Sequence, residues 1–136
     1  MKIKRFEVFE KFTQDEADEL KSLFYSIIDT VGDTYQVRSD DKILDDRHQK
    51  ILRYDTEITK SGNFIIRIYC DYLWRYQIEK EIREDIIPRI KSLDYKVSIK
   101  MEETSERIYR KVPVHGTDRT SIVSDPVVRI SVLVKN

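Results

Sequence analysis

Histidine and cysteine side chains build many catalytic and metal sites, and this sequence has few of them. It contains two histidines, His48 and His115, and one cysteine, Cys70. A metal site needs several His, Cys, Asp or Glu ligands at ligand spacing, and each histidine stands alone. Cys70 alternates with apolar residues in a candidate strand, which favours a small core residue over a nucleophile. The sequence therefore predicts no metal and no cofactor.

Two further segments could carry chemistry, the Asp-rich stretch 40–46 and the tetrapeptide 115–118, His-Gly-Thr-Asp. The first lacks the glycine and the ligand spacing of a calcium loop, which favours a solvated loop. His115-Gly116-Thr117 resembles one half of the paired motif of two-histidine phosphoesterases, but the second half is absent. Ser121 and Ser124 lie near His115 without a Gly-x-Ser-x-Gly turn. We therefore expect a protein that is not an enzyme, and an enzyme using His115 is the third hypothesis.

The charge balance restricts the classes of partner. Among 136 residues, 25 Lys and Arg cancel 25 Asp and Glu, which argues against a strongly basic nucleic-acid binder and against a polybasic membrane anchor. Apolar runs are only a few residues long, so we expect no transmembrane helix and no signal peptide. One cysteine fits a reducing compartment. The expected location is the cytoplasm, or a virion if the protein is viral.

The periodicity of apolar residues indicates alternating strands and helices. A capping box, Thr13 with Glu16, starts the first helix, and Pro88 is expected to kink or break the second. A fifteen-residue loop is expected from about Val112 to Pro126. The predicted elements are a strand within 3–9, a helix over about 14–31, a hairpin of strands 52–58 and 64–70, a helix over 73–93, and strands at 95–101, 108–112 and 128–134.

This order predicts one α+β domain over residues 1–136. The predicted order over residues 1–101 is β-α-β-β-α-β, which is that of the ferredoxin-like fold. This fold usually has an antiparallel sheet with two helices on one face. Residues 102–136 form a C-terminal two-strand extension that either widens the sheet or docks on a neighbour. The alternative is a sheet in which the last three strands form a meander against the second helix.

Two short resemblances point to different functions. Residues 15–24 are similar to the first helix of RNA recognition motifs, a likeness that implies an RNA-binding module using the open sheet face. Arg67 and Tyr69 are then the residues expected to bind RNA, and this is the alternative hypothesis. The segment 87–90, Ile-Pro-Arg-Ile, followed by alternating Val97 and Ile99, resembles the C-terminal half of a phage baseplate-wedge family. That likeness agrees with an isoleucine-rich, alanine-poor composition typical of a low-GC bacterium or its phage.

The leading hypothesis follows from the supply of amphipathic aromatic residues, which are enriched at protein interfaces. It is a non-catalytic structural or interaction subunit of a larger protein assembly, plausibly a phage virion component of the head-tail or tail region. Protein partners, including self-association in an oligomer, are expected, and nucleic acid is disfavoured. Two groups of interaction residues are predicted, an aromatic group and a group in the long loop: Tyr69, Tyr72, Trp74 and Tyr76, and Val114, His115, Ile122 and Val123.

Overall fold

A computed structural model describes residues 11–29, 36–37, 42–44 and 50–136 of the chain as an α+β fold. The strand predicted within residues 3–9 lies outside the described residues. The helical elements are α1 Gln14–Ser22, α2 Tyr25–Ile28, a 3₁₀ helix Tyr72–Trp74, α3 Arg75–Glu81, a π-helix Ile82–Ile86 and α4 Ile87–Ser92. The strands are β1 Gln36–Val37, β2 Lys42–Leu44, β3 Ile51–Ile58, β4 Phe64–Asp71, β5 Lys96–Pro113 and β6 Thr120–Lys135.

Four long strands form an antiparallel sheet in the order β5-β6-β4-β3. The short β1 and β2 extend it at the β5 edge, where β2 runs parallel to residues 107–109. The ferredoxin-like order is not confirmed, because β6 lies between β4 and β5 instead of widening the sheet. Val128, Ile130, Val132 and Val134 are almost fully buried there, as expected of a strand paired on both sides.

The fifteen-residue loop predicted from Val112 to Pro126 is wrong. Residues 96–113 and 120–135 are continuous strands, and only 114–119 connect them. The N–H of Val114 donates to the carbonyl of Arg119 at 3.0 Å, and alternate residues of an antiparallel pair face the shared ladder. Pro113 and Pro126 therefore sit at positions whose missing N–H would face away from that ladder.

The first helix begins as predicted. The Thr13 hydroxyl accepts from the Glu16 N–H at 3.1 Å, and the Glu16 carboxylate accepts from the Thr13 N–H at 3.0 Å. These hydrogen bonds, chiefly the one from the Thr13 backbone, lower the pKa of Glu16. The helix ends earlier than expected, at Ser22, and α2 follows after a turn.

The second helix is interrupted ahead of the predicted proline. The π-helix inserts a wider turn, after which Pro88 lies in the first turn of α4, where a missing N–H leaves no hydrogen bond unmade. Ile78, Ile82, Ile86 and Ile90 are buried at a spacing of four residues. Their stripe faces the sheet, where it packs with one face of β4 and β6.

Two further details concern the face of the sheet opposite the helices and the turn between β3 and β4. Leu52, Ile108 and Val127 form a second small apolar cluster, with Tyr69 packed against it. Gly62 has φ +85°, and its carbonyl accepts from the Phe12 N–H at 3.0 Å. A Cβ at position 62 would lie 2.9 Å from the Cα of Lys11, so only glycine fits this turn.

Candidate protein-interaction site

The β5–β6 hairpin continues beyond the rest of the sheet. Among the described residues, β4 pairs with β6 only over 127–134, and β2 pairs with β5 only over 107–109. Residues 111–123 therefore form a two-stranded projection, which we call the arm. At roughly 3.3 Å per residue, the arm reaches roughly 15 Å past the last such pairing.

The arm carries three of the exposed aliphatic side chains among the described residues. Ile122 is 62% exposed, Val123 is 42% exposed and Val114 is 39% exposed. Ile122 and Val123 are consecutive in a strand and so point to opposite faces of the arm. His115 is exposed in the connecting turn, where Gly116 has φ +77°. All four arm residues predicted from the sequence therefore lie on one projection.

A buried ion network, which the sequence analysis did not predict, fixes the base of the arm. Arg110 is 4% exposed; one of its terminal nitrogens donates to the carboxylate of fully buried Asp71, and Nη1 donates to Asp125 Oδ2 at 2.8 Å. Asp71 also accepts from the Leu73 N–H at 2.9 Å and so caps the 3₁₀ helix. The network thus joins β4, β5 and β6 at one point. The Nε of Arg110 has no hydrogen-bond partner among the described residues.

A bulge in β5 lies just before the arm. The register shifts between Glu103 and Arg107, and the Thr104 hydroxyl donates to the Val127 carbonyl at 2.8 Å. The same hydroxyl accepts from the Glu106 N–H at 3.3 Å. The bulge holds Glu106 where it forms a bidentate ion pair with Arg53. Such bulges bend and twist a strand, which suits the start of a projection.

The aromatic residues predicted as a contact patch are only partly on the surface. The Arg75 guanidinium lies 3.5 Å from the centre of the Tyr72 ring and 4.3 Å from that of Tyr76. Tyr72 and Trp74 pack against the core, whereas Tyr76 is 63% exposed. Leu73, which the sequence did not single out, is 61% exposed. Next to them lies a groove of about 230 Å³, lined by Tyr72, Arg75, Tyr76, Met101, Glu102, Glu103 and Val128.

Tyr69 belongs to neither group. It packs against the second apolar cluster, and the Arg53 guanidinium lies 4.0 Å from the centre of its ring. A hydrogen bond with Tyr69 also helps raise the pKa of Arg129, although Glu102 is the main cause. The structure thus brings Tyr72 and Tyr76 together on one side of the sheet and places Tyr69 on the other.

The open sheet face carries arginines whose charges are balanced by neighbouring carboxylates. Arg67 donates to Asp55 at 2.9 Å and to Glu57 at 2.6 Å. Both pairs raise the pKa of Arg67, the hydrogen bond with Glu57 most. On the same face Arg129 pairs with Glu102, whose pKa is lowered mainly by that contact. Arg53, Arg67 and Arg129, among the described residues of this face, are thus each paired with a carboxylate.

The chemical candidates are dispersed. His48 and the four aspartates of the stretch 40–46 lie outside the described residues, and Lys42–Leu44 of that stretch forms β2. Within the described part, no group of three or more His, Cys, Asp or Glu side chains could hold a metal ion. Cys70 is fully buried, and burial raises the pKa of its thiol to about 12. The described part of the structure therefore leaves Cys70 in the core and His115 in the turn of the arm, apart from each other.

Comparison with known proteins adds no relative: no family model matches the chain, and no curated protein and no solved structure matches it significantly. None of the helices formed by the described residues is both long enough and apolar enough to cross a membrane.

Proposed function

We propose that this protein is a non-catalytic subunit of a larger protein assembly and that the arm makes its principal protein contact. The observation that carries the proposal is the exposure of Ile122, Val123 and Val114 on a projection held by a buried ion network. Burying each of these side chains against a partner would contribute about 1 kcal/mol. More specifically, we propose that the assembly is a phage virion, on the basis of the composition and of the short resemblance at residues 87–90.

The aromatic patch supports a second contact of the same protein. Leu73 and Tyr76 are both more than half exposed beside the groove at Arg75. An aromatic side chain with an arginine stacked on it is a common anchor at protein interfaces. The arm therefore supplies the apolar projection, and the patch supplies a concave surface.

The open sheet face gives less support to RNA binding. Arg67 already donates to two carboxylates, and Arg53 covers the ring of Tyr69 on which a base would stack. A binding surface for RNA needs cations that are free to neutralise phosphates. Charge balance on this face therefore favours a protein partner.

The test compares two variants that keep the arm folded. One replaces Val114, Ile122 and Val123 with serine, and its control replaces the exposed Ser121 with alanine. Native purification from the source, with mass spectrometry and the ratio of absorbance at 260 and 280 nm, should show stoichiometric partners for the wild type and for the control only. Equal recovery of partners with the triple variant would contradict the proposal. Co-purification of nucleic acid without protein would support RNA binding.

A further inference from the structure

The two edges of the arm differ in a way that identifies one of its partners. On the β5 edge, Pro113 removes a donor and Lys111 adds a charge, and both devices prevent another strand from pairing. The β6 edge from Thr120 to Ser124 has no charge, no proline and no bulge. An exposed edge without such protection is a template for another strand.

The hydrogen-bond register shows which backbone groups are presented at that edge. Because Val114 bonds to the Arg119 carbonyl, residues 119, 121 and 123 face β5 and residues 120, 122 and 124 face outward. Thr120 and Ile122 each present one N–H and one C=O, and Ser124 presents its N–H and a carbonyl that already accepts from the Arg107 guanidinium at 3.1 Å. Within the described part of the chain, no strand pairs with these groups, because β4 begins to pair with β6 only at Val127.

We propose that this edge pairs antiparallel with the same edge of a second copy of the chain, about a two-fold axis at Ile122. The proposal deepens the assembly function above by naming one partner. In this register Ile122 lies opposite Ile122 of the second copy, and Thr120 lies opposite Ser124. The outward N–H and C=O groups of Thr120 and Ile122 and the N–H of Ser124 are then paired, and the Ser124 carbonyl accepts a second hydrogen bond beside the one from Arg107. The interface is the same on both subunits.

Charge complementarity selects this register. Centred on Ile122, it places Arg119 of each copy opposite Asp125 of the other, so that two opposite-charge pairs flank the apolar centre. Arg119 is exposed, and Asp125 is partly exposed while it binds Arg110 through one oxygen. A register centred on Val123 would set Thr120 opposite Pro126, which has no N–H to donate, and would lose the charge pairs.

The pairing would also bring each arm against β4 of the other copy. Residues 119–125 form the ladder, and β4 occupies the neighbouring position from Val127 onward. The turn of each arm would therefore meet the carboxyl end of the other copy's β4, near exposed Leu73. Both surfaces predicted to bind partners would contribute to one dimer.

Paired proline variants test the proposal. Lys111 and Ile122 are opposite each other, and the N–H of each faces away from their shared ladder, so Ile122→Pro and Lys111→Pro disturb the hairpin equally. Ile122→Pro removes two hydrogen bonds from the dimer and should raise its dissociation constant by about tenfold or more. Lys111→Pro should dimerise like the wild type. Sedimentation velocity over a wide concentration range measures all three.

A charge reversal keeps the test decisive if proline unfolds the arm. Arg119→Glu opposes Asp125 of the second copy and should weaken the dimer several-fold, less so at high salt. Lys111→Glu makes the same charge change on the other strand and should leave the dimer unchanged. A wild type that stays monomeric at every concentration, or variants and controls that dimerise equally, would overturn the inference. A monomer that still binds other proteins through the arm would leave the proposed function intact.

Discussion

Replacing Arg110 should be the most destabilising single change at the base of the arm. Arg110→Met keeps the aliphatic stem but removes the guanidinium that pairs with Asp71 and Asp125. Asp71 is fully buried, and among the described residues its carboxylate would keep the Leu73 N–H as its one partner. Leaving one charge of a buried pair uncompensated costs about 3–5 kcal/mol in the free energy of unfolding, a large part of a typical domain's stability of about 5–15 kcal/mol.

The chain contains a matched control in Arg67, which also bridges two carboxylates. Its partners Asp55 and Glu57 are about half exposed, so water stabilises them when the arginine is removed. Surface pairs of this kind contribute about 0–1 kcal/mol. Arg67→Met should therefore cost far less than Arg110→Met, although both lose the same chemical group.

Urea unfolding followed by circular dichroism measures both variants. A further variant, Arg110→Met with Asp71→Asn, should recover part of the loss, because the amide oxygen can still accept from the Leu73 N–H without leaving a buried charge. If Arg110→Met and Arg67→Met differ by less than about 0.5 kcal/mol, burial does not control these pairs and the reasoning is refuted.

Two further predictions concern single residues of the fold. Alanine at a position of positive φ is strained by roughly 1 kcal/mol, and Gly116→Ala should cost only this strain, because nothing lies within 4 Å of its Cβ. Gly62→Ala should cost more, because its Cβ would also meet the backbone of Lys11. Equal losses of unfolding free energy in urea would contradict this. The thiol of Cys70, whose pKa is raised to about 12 by burial, should resist alkylation at neutral pH until the protein is unfolded in urea; rapid labelling of the native protein would show that the side chain is accessible.

Local signals in the sequence predicted local structure well. The capping box at Thr13 and Glu16 is confirmed because both hydrogen bonds involve residues three apart. The hairpin of β3 and β4 and the stripe of isoleucines from Ile78 to Ile90 are also periodic features of short segments. In each case the signal lies within one short segment of the sequence.

Features that depend on distant pairing were missed. The alternation of apolar residues along a strand does not show which strands pair with it. The central position of β6 could therefore not be predicted from its alternating residues Val128, Ile130, Val132 and Val134. The network of Arg110 joins residues 39 apart in sequence, and an arginine in a strand ordinarily indicates a solvated face. The pairing of residues 107–113 with 120–126 was also missed, because it depends on the partner strand.

The position of β6 also bears on how the arm would act. A loop that becomes ordered only on its partner loses conformational entropy at that step, which weakens binding. Here β6 is paired on both sides from Val127 to Val134, and the same strand continues into the arm. Asp125, Arg110 and Asp71 brace the point where the second neighbour ends. The arm is therefore preorganised, and a partner bound at its tip would be anchored to a central strand of the sheet instead of to an edge strand.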